Sequence, residues 1–251
     1  MGKVIMSGIV PLLTEPVHGI AASTLAVGST VKLMESGAAV EYLVVNQGKP
    51  GGSSLYDDSC DGTWLLRKET VTYEQWATST TNGSKYPDSK INTWLNEDFF
   101  NTLGSAEQAT VKQVKIPYCI SRESTAVNSG ANGLSVKAFL LGVYEVGWTN
   151  SNSAYMPVDG AKLSYFISGT GTSARTRRTA YSGASAVEWW LRSPYARSLS
   201  ESGIGAEAWF VDNRGYQGQE YLTDSKYIRP ALILPKTALF DETTMILKGV
   251  A

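Results

Sequence analysis

Trp189-Trp190-Leu191-Arg192-Ser193-Pro194 and, further on, Ile228-Arg229-Pro230-Ala231-Leu232-Ile233-Leu234 frame the part of the chain that decides its reading. The first is an aromatic run closed by a proline, and the second is a proline-containing apolar strand. Between them Tyr195, Arg197, Ser198, Ser200, Ser202, Tyr216, Tyr221, Asp224, Ser225 and Tyr227 are interleaved with Gly203, Gly205, Gly215 and Gly218. Tyrosine supplies large contact area with few rotors, while serine and glycine adapt their hydrogen bonding. Loops of that composition held between packed strands read as a recognition surface. The candidate contact residues are Tyr195, Arg197, Ser198, Ser200, Phe210, Asp212, Arg214, Tyr216, Tyr221, Asp224 and Tyr227. Trp190 and Trp209 read instead as core, because tryptophan buries a large area. Arg192 and Arg229, beside Pro194 and Pro230, read as hydrogen-bonding scaffold.

At 251 residues the chain can bury a core without staples, and 43% hydrophobic against 18% charged residues places it among globular proteins. A net charge of -1 gives no global field toward nucleic acid or anionic lipid. No apolar run is long enough to span a bilayer, so no membrane insertion is expected. Lys3 followed by Val4-Ile5-Met6-Ser7-Gly8-Ile9-Val10 looks briefly like a signal peptide, but Pro11, Glu15, Pro16 and His18 interrupt it. Cys60 and Cys119 are two distant thiols, not a disulfide framework, and fit synthesis in a reducing cytosol.

Residues 1–27 read as an N-terminal arm, either a docking segment or an extended leader. Residues 28–236 read as one α+β domain with two helices, short antiparallel strands and long loops, and 237–251 as a tail. Val31-Lys32-Leu33-Met34, the turn Glu35-Ser36-Gly37 and Val40 to Val45 predict a hairpin. Thr63 to Leu66, Lys137 to Val143, Ala208 to Val211 and Tyr227 to Leu234 predict further strands. Ser89 or Asp88 can cap a helix with Ile91, Trp94, Leu95, Phe99 and Leu103 on one face and Gly104 as its stop. Ser105 with Gln108 matches a capping box for a second helix running through Val111 and Val114. Thr149 to Ser153 and Ser168 to Ser173 read as polar loops, and Arg175-Thr176-Arg177-Arg178 as a basic cluster in a solvated loop.

Taken together, Lys90 to Asn96, Phe139-Leu140-Leu141, Trp189 to Pro194, Ala208 to Val211 and the Ile228 to Leu232 close resemble the C-type-lectin-like domain family of the formylglycine-generating-enzyme subtype found in bacteria and phage. That family includes variable ligand-binding proteins diversified by retroelements. The resemblance covers residues 28–236 and implies a C-type-lectin-like fold with a variable-type segment at 195–227. It also implies adenine-directed rewriting of AAY codons, whose outcomes include the Tyr, Ser, Asp, Arg and Phe of the candidate face. Glu201, Glu207, Gln217, Gln219, Glu220 and Lys226 lie outside that set and would be fixed by the template. More loosely, Met1 to Pro11 is similar to the leaders of small phage structural proteins.

One histidine, His18, leaves no Ser-His-Asp or Cys-His constellation in the body of the chain and no histidine-rich metal site. The enzymes of the resembling family use reactive cysteines late in the domain, and no cysteine follows Cys119 here. A non-enzyme without cofactor or metal is therefore expected. Asp57, Asp58 and Asp61 read as a solvated turn, with calcium as the other reading of that turn. Glu201 with Glu207, or Asp212 with Glu220, are the carboxylate pairs a glycosidase would need.

The expectation is a non-catalytic receptor-binding adhesin on a phage virion, serving host attachment. Its partners would be a bacterial cell-surface protein or glycan and, through the arm, other virion proteins. A homo-oligomer, a trimer by analogy, would add avidity. A capsid or tail decoration protein is the structural alternative, and a carboxylate glycosidase the enzymatic one.

Overall fold

The computed structural model describes residues 18–52, 54–79, 85–121, 123–196 and 206–250. β1 (Ile20–Ala21) leads into a hairpin of β2 (Thr30–Glu35) and β3 (Ala38–Gln47). Val31 and Leu33 are buried while Lys32 and Met34 are half-exposed, as alternation dictates. Ser36 and Gly37 both take positive φ (47° and 82°), the two left-handed positions that a two-residue hairpin turn needs. β4 (Thr63–Arg67) has Thr63 to Leu66 all buried, which suits an interior strand covered on both faces. β5 (Tyr73–Gln75) follows.

The predicted first helix forms, with Ser89 Oγ accepting from the Asn92 N–H at 3.0 Å. α1 (Lys90–Trp94) passes through a π-helical turn, Leu95–Phe99, into α2 (Phe100–Thr102). Ile91, Leu95, Phe99 and Leu103 are all buried. A strict four-residue spacing drifts by roughly 120° over three steps on an ideal helix. The wider π turn absorbs that drift and keeps the four side chains on one face.

α3 (Ser105–Thr110) departs from expectation at both ends. Its N-cap is Gly104, and no capping box forms. Gln108 Nε2 instead donates to Leu103 O at 2.7 Å, and the Glu107 carboxylate accepts the Met34 N–H at 2.9 Å. The helix stops at Thr110 because the Lys112 N–H is taken by Ile233 O, and Val114 opens a strand. β6 (Val114–Ile116), β7 (Tyr118–Ser121), β8 (Ser124–Asn128), β9 (Leu134–Val136) and β10 (Ala138–Phe139) follow. The strand expected over 137–143 is thus two residues long. Beyond it side chains take over the backbone: Tyr86 OH accepts the Leu140 N–H, and Arg192 Nη1 donates to Leu140 O.

The segment read as a polar loop contains α4 (Thr172–Arg178). Then come β11 (Ala180–Ser182), β12 (Ser185–Val187), β13 (Trp189–Pro194), β14 (Glu207–Val211), β15 (Gln217–Tyr221), β16 (Ser225–Tyr227), β17 (Ala231–Leu234), β18 (Ala238–Phe240) and β19 (Leu247–Val250). Two five-stranded sheets, β10-β17-β4-β3-β2 and β15-β14-β13-β16-β5, carry the core. The run Tyr227 to Leu234 is split between them. Ile228 to Pro230 cross over, and Arg229 ties the crossing by donating to Arg67 O and Lys68 O.

A third sheet, β1-β18-β19, moves the expected domain boundaries. Ile20 pairs with Phe240 and Ala21 with Leu239, and Ala22 and Phe240 are fully buried. Residues from 20 onward in the expected arm, and most of the expected tail, therefore belong to the packed body. The result is an α+β protein dominated by β-sheet. No helix among the described residues is long and apolar enough to cross a membrane.

Candidate ligand-binding face

β13 is the buried spine of the second sheet, with every residue from Trp189 to Pro194 inside. Arg192 reaches from it to the Glu145 carboxylate through Nη1 (2.5 Å) and Nη2 (2.8 Å), to Leu140 O and Pro117 O (3.0 Å each), and to Asp159 O. Glu145 also accepts from Tyr56 OH at 2.7 Å and from the Gly142 N–H at 2.9 Å. Ser193 Oγ donates to Asp159 Oδ2 at 2.6 Å and accepts from the Val143 N–H. The network pins the irregular segment 140–161 against β13 with no regular pairing.

Two carboxylates share one guanidinium here. Burial pushes the Asp159 carboxyl up from its ordinary 3.8 to about 6, against the lowering influence of Arg192. An acid that holds its proton more tightly folded than unfolded adds stability below its unfolded pKa. That contribution is lost as pH rises through about 6. Asp159→Asn removes this dependence. Between pH 4 and pH 6 its stability should gain on the parent by at most about 1.4 kcal/mol per pH unit, the slope of one proton. Urea midpoints at pH 4, 5, 6 and 7 test this, and a constant difference would show that Asp159 does not titrate there.

On that spine sits a run of aromatic rings. The Tyr195 ring lies 4.9 Å from Trp209 and 4.9 Å from Tyr155, centroid to centroid. Ala196 N–H and Trp209 Nε1 both donate to Tyr155 O, at 3.1 Å and 3.5 Å, so the loop bearing Tyr155 is tied to the sheet. Directly opposed residues of antiparallel strands share a face. The pairs Trp209 with Gln219 and Glu207 with Tyr221 therefore extend the same face across β14 and β15. Trp209 is the buried floor, and Tyr155 (37%) and Tyr221 (42%) are the exposed walls. Among the described residues β15 is the edge of its sheet.

The expected contact residues that are described do not form one surface. Tyr195 and Tyr221 lie on the aromatic face. Arg197, Ser198 and Ser200 fall outside the described residues. Phe210 is corrected from contact to core: it is 8% exposed and points to the other side of β14. There it meets Trp190 edge-on at 6.0 Å and lies under Lys226 Nζ. Asp212 serves the hairpin itself, accepting the N–H groups of Arg214 (2.8 Å) and Tyr216 (2.7 Å). Arg214 and Tyr216 stand at that hairpin tip. Tyr227 packs on Tyr73 at 5.1 Å across β16 and β5, on the far edge of the sheet. Asp224 is exposed in the turn after Tyr221.

The basic cluster is also corrected. Arg178 is fully buried, donating to Gly215 O, Val146 O, Ile167 O and Gly169 O while lying over the Trp148 ring. With four carbonyls and no carboxylate, desolvation lowers its pKa to about 10. Sequence reasoning missed Tyr155, a lone aromatic in a Ser/Asn stretch that only the tertiary structure brings to Tyr195. The three aspartates of 57–61 serve separate partners: Ser59 N–H, Lys49 and Lys236. Among the described residues no three His, Cys, Asp or Glu side chains gather as a metal ion requires. Asp212 and Glu220 sit toward opposite ends of the hairpin, the latter near Lys226. Both thiols are buried, and burial pushes each up to about 12.

Residues 61–236, well over half of the chain, match a family described as a domain of unknown function, DUF6273. The chain belongs to that family. The DUF6273 region spans β4 to β17 and so contains Arg192, Glu145 and Asp159 of the buried network, but not Tyr56, together with the aromatic face. β2 and β3, which complete the first sheet, and the whole β1-β18-β19 sheet lie outside it. No curated protein and no solved structure matches the chain.

Proposed function

We propose that this DUF6273 protein is a non-catalytic ligand-binding protein. Its Tyr155–Tyr195–Trp209 face would recognise a molecule on a bacterial surface. One observation carries the reading: aromatic rings in tilted contact, partly exposed, stand on a buried tryptophan floor beside what is, among the described residues, a sheet edge. Binding energy concentrates in such aromatic anchors, and a rigid support lowers the ordering cost of the complex. The flanking groups, Gln219 and Tyr221, offer donors and acceptors around the rings. A C-type-lectin-like architecture belongs to the same proposal. Early helices, short antiparallel strands and a long irregular segment before α4 support it, alongside the likeness in sequence. Attachment to a phage particle rests on the likeness of Met1 to Pro11 to phage leaders.

Adsorption of the monovalent protein to bacterial cells tests the reading, with thermal melting as the check on folding. Tyr155→Ala and Tyr195→Ala should each weaken adsorption about 30-fold, the measure of an anchor worth about 2 kcal/mol. Tyr73→Ala, on the far edge, should leave it unchanged. Folded variants at 155 and 195 that adsorb like the parent would sink the proposal.

A further inference from the structure

A different surface lies at the tip of the β14–β15 hairpin, about 15 Å of strand from Tyr221. We propose that the seam between this tip and α4 binds an oxyanion, phosphate or carboxylate, of an extended ligand. The Tyr216 ring has two guanidiniums over it, Arg175 at 4.7 Å and Arg214 at 5.4 Å from its centroid. A stacked guanidinium gives its face to the ring and keeps its edge N–H groups for a planar or tetrahedral oxyanion.

The two arginines come from distant parts of the chain, and the fold fixes them together. Gly215 has φ of +81°, and a Cβ there would lie 2.3 Å from Arg175 O, so the tip seats on α4 without room to slide. Arg178 locks the seat from below by donating to Gly215 O at 3.0 Å. Asp212 shapes the tip from within. Site geometry of this kind is preorganised, with the supporting hydrogen bonds made before a ligand arrives.

Charge and donor count favour an anion. Arg175 on α4 and Arg214 on the hairpin meet over Tyr216, Arg178 being committed to its carbonyls, and among the described residues Asp212 pairs with Arg214 alone. That pairing uses Arg214 Nε and Nη2, at 3.3 Å and 3.2 Å, while the side chain stays 73% exposed. Among the described residues Arg175 Nε has no hydrogen-bond partner, and its Nη2 reaches only Thr172 Oγ1 at 3.3 Å. Arg177 Nη1 donates to Tyr165 O, with its guanidinium 5.2 Å from the Tyr165 ring. A second cation-on-aromatic contact thus stands on α4 itself.

The site does not depend on the aromatic face, and the test separates the two. Calorimetric titration at low salt uses poly(glycerol phosphate) for a phosphodiester and polygalacturonate for a carboxylate. The parent should bind at least one of them. Arg175→Gln and Arg214→Gln should each weaken that binding about 10-fold. Tyr216→Ala should weaken it as well, whereas Lys68→Gln and Tyr155→Ala should not change it. Binding to the phosphate polymer alone assigns a phosphodiester, binding to the uronate alone assigns a carboxylate, and binding to both assigns a general oxyanion site. Binding of neither polymer, or Arg→Gln variants that bind like the parent, would overturn the assignment.

Discussion

Arg192→Leu is expected to destabilise the protein by about 3–5 kcal/mol at neutral pH, the penalty for removing one partner of a buried ion pair. Arg192, Glu145 and Asp159 are all fully buried, so leucine would leave two carboxylates inside without a counter-ion. Glu145 would keep Tyr56 OH and the Gly142 N–H, and Asp159 would keep Ser193 Oγ. Those donors soften the loss and do not cancel it, because a neutral donor cannot replace the Coulomb attraction of the guanidinium. The Asp159 carboxyl, already raised by burial and then without the lowering influence of Arg192, would hold its proton to higher pH. Groups whose folded pKa is raised contribute stability at low pH and lose it as pH rises through that pKa. The deficit of Arg192→Leu should therefore be smaller at pH 5 than at pH 8. Adding Glu145→Gln to Arg192→Leu should return part of the loss, because one of the two unpaired buried charges is then gone. Urea unfolding of the four proteins in that cycle, at both pH values, measures each term. A loss below about 1 kcal/mol, or one equal at pH 5 and pH 8, would mean that the ionic contacts do not hold segment 140–161 in place.

What could be read from the sequence is what local chemistry specifies. The β2–β3 hairpin follows from alternation around Ser36-Gly37, and α1 follows from Ser89 and the apolar stripe beginning at Ile91. Trp190 and Trp209 are core as expected, and Arg192 and Arg229 are scaffold. α4 could not be read this way. Within Thr172–Arg178 the apolar signal is Ala174 alone, and the tertiary bonds of Arg178 run to loops and to a hairpin far along the chain. Phe210 differs from expectation because Trp209 and Phe210 are aromatic neighbours on one strand. Alternation puts them on opposite faces but does not say which face is open. The candidate site was half legible for the same reason. Tyr195 and Tyr221 announce themselves by composition, whereas Tyr155 and Arg175 join their partners through contacts that no local pattern encodes.

Arg178→Met should cost about 3 kcal/mol, and its signature should differ from that of Arg192→Leu. Methionine can fill much of the space over Trp148, yet Gly215 O, Val146 O, Ile167 O and Gly169 O would each lose a charged donor. An acceptor left buried without a partner costs about 1–3 kcal/mol, and relaxation of the loops that carry three of these four would recover part of the sum. Carbonyls do not titrate, and Arg178 stays charged well below its lowered pKa of about 10. The deficit should therefore be the same at pH 5 and pH 8, whereas that of Arg192→Leu changes. The second consequence is local. Losing the bond to Gly215 O frees the hairpin tip from α4, so the Gly215 amide, which donates to Asp212 O, should exchange with solvent faster than in the parent. Loosening that seat should also weaken oxyanion binding at Arg175 and Arg214 without altering either side chain. Unfolding at two pH values with hydrogen exchange at the tip reads both effects. A pH-dependent loss, or unchanged exchange at Gly215, would mean that Arg178 supports the fold by some route other than its four carbonyls.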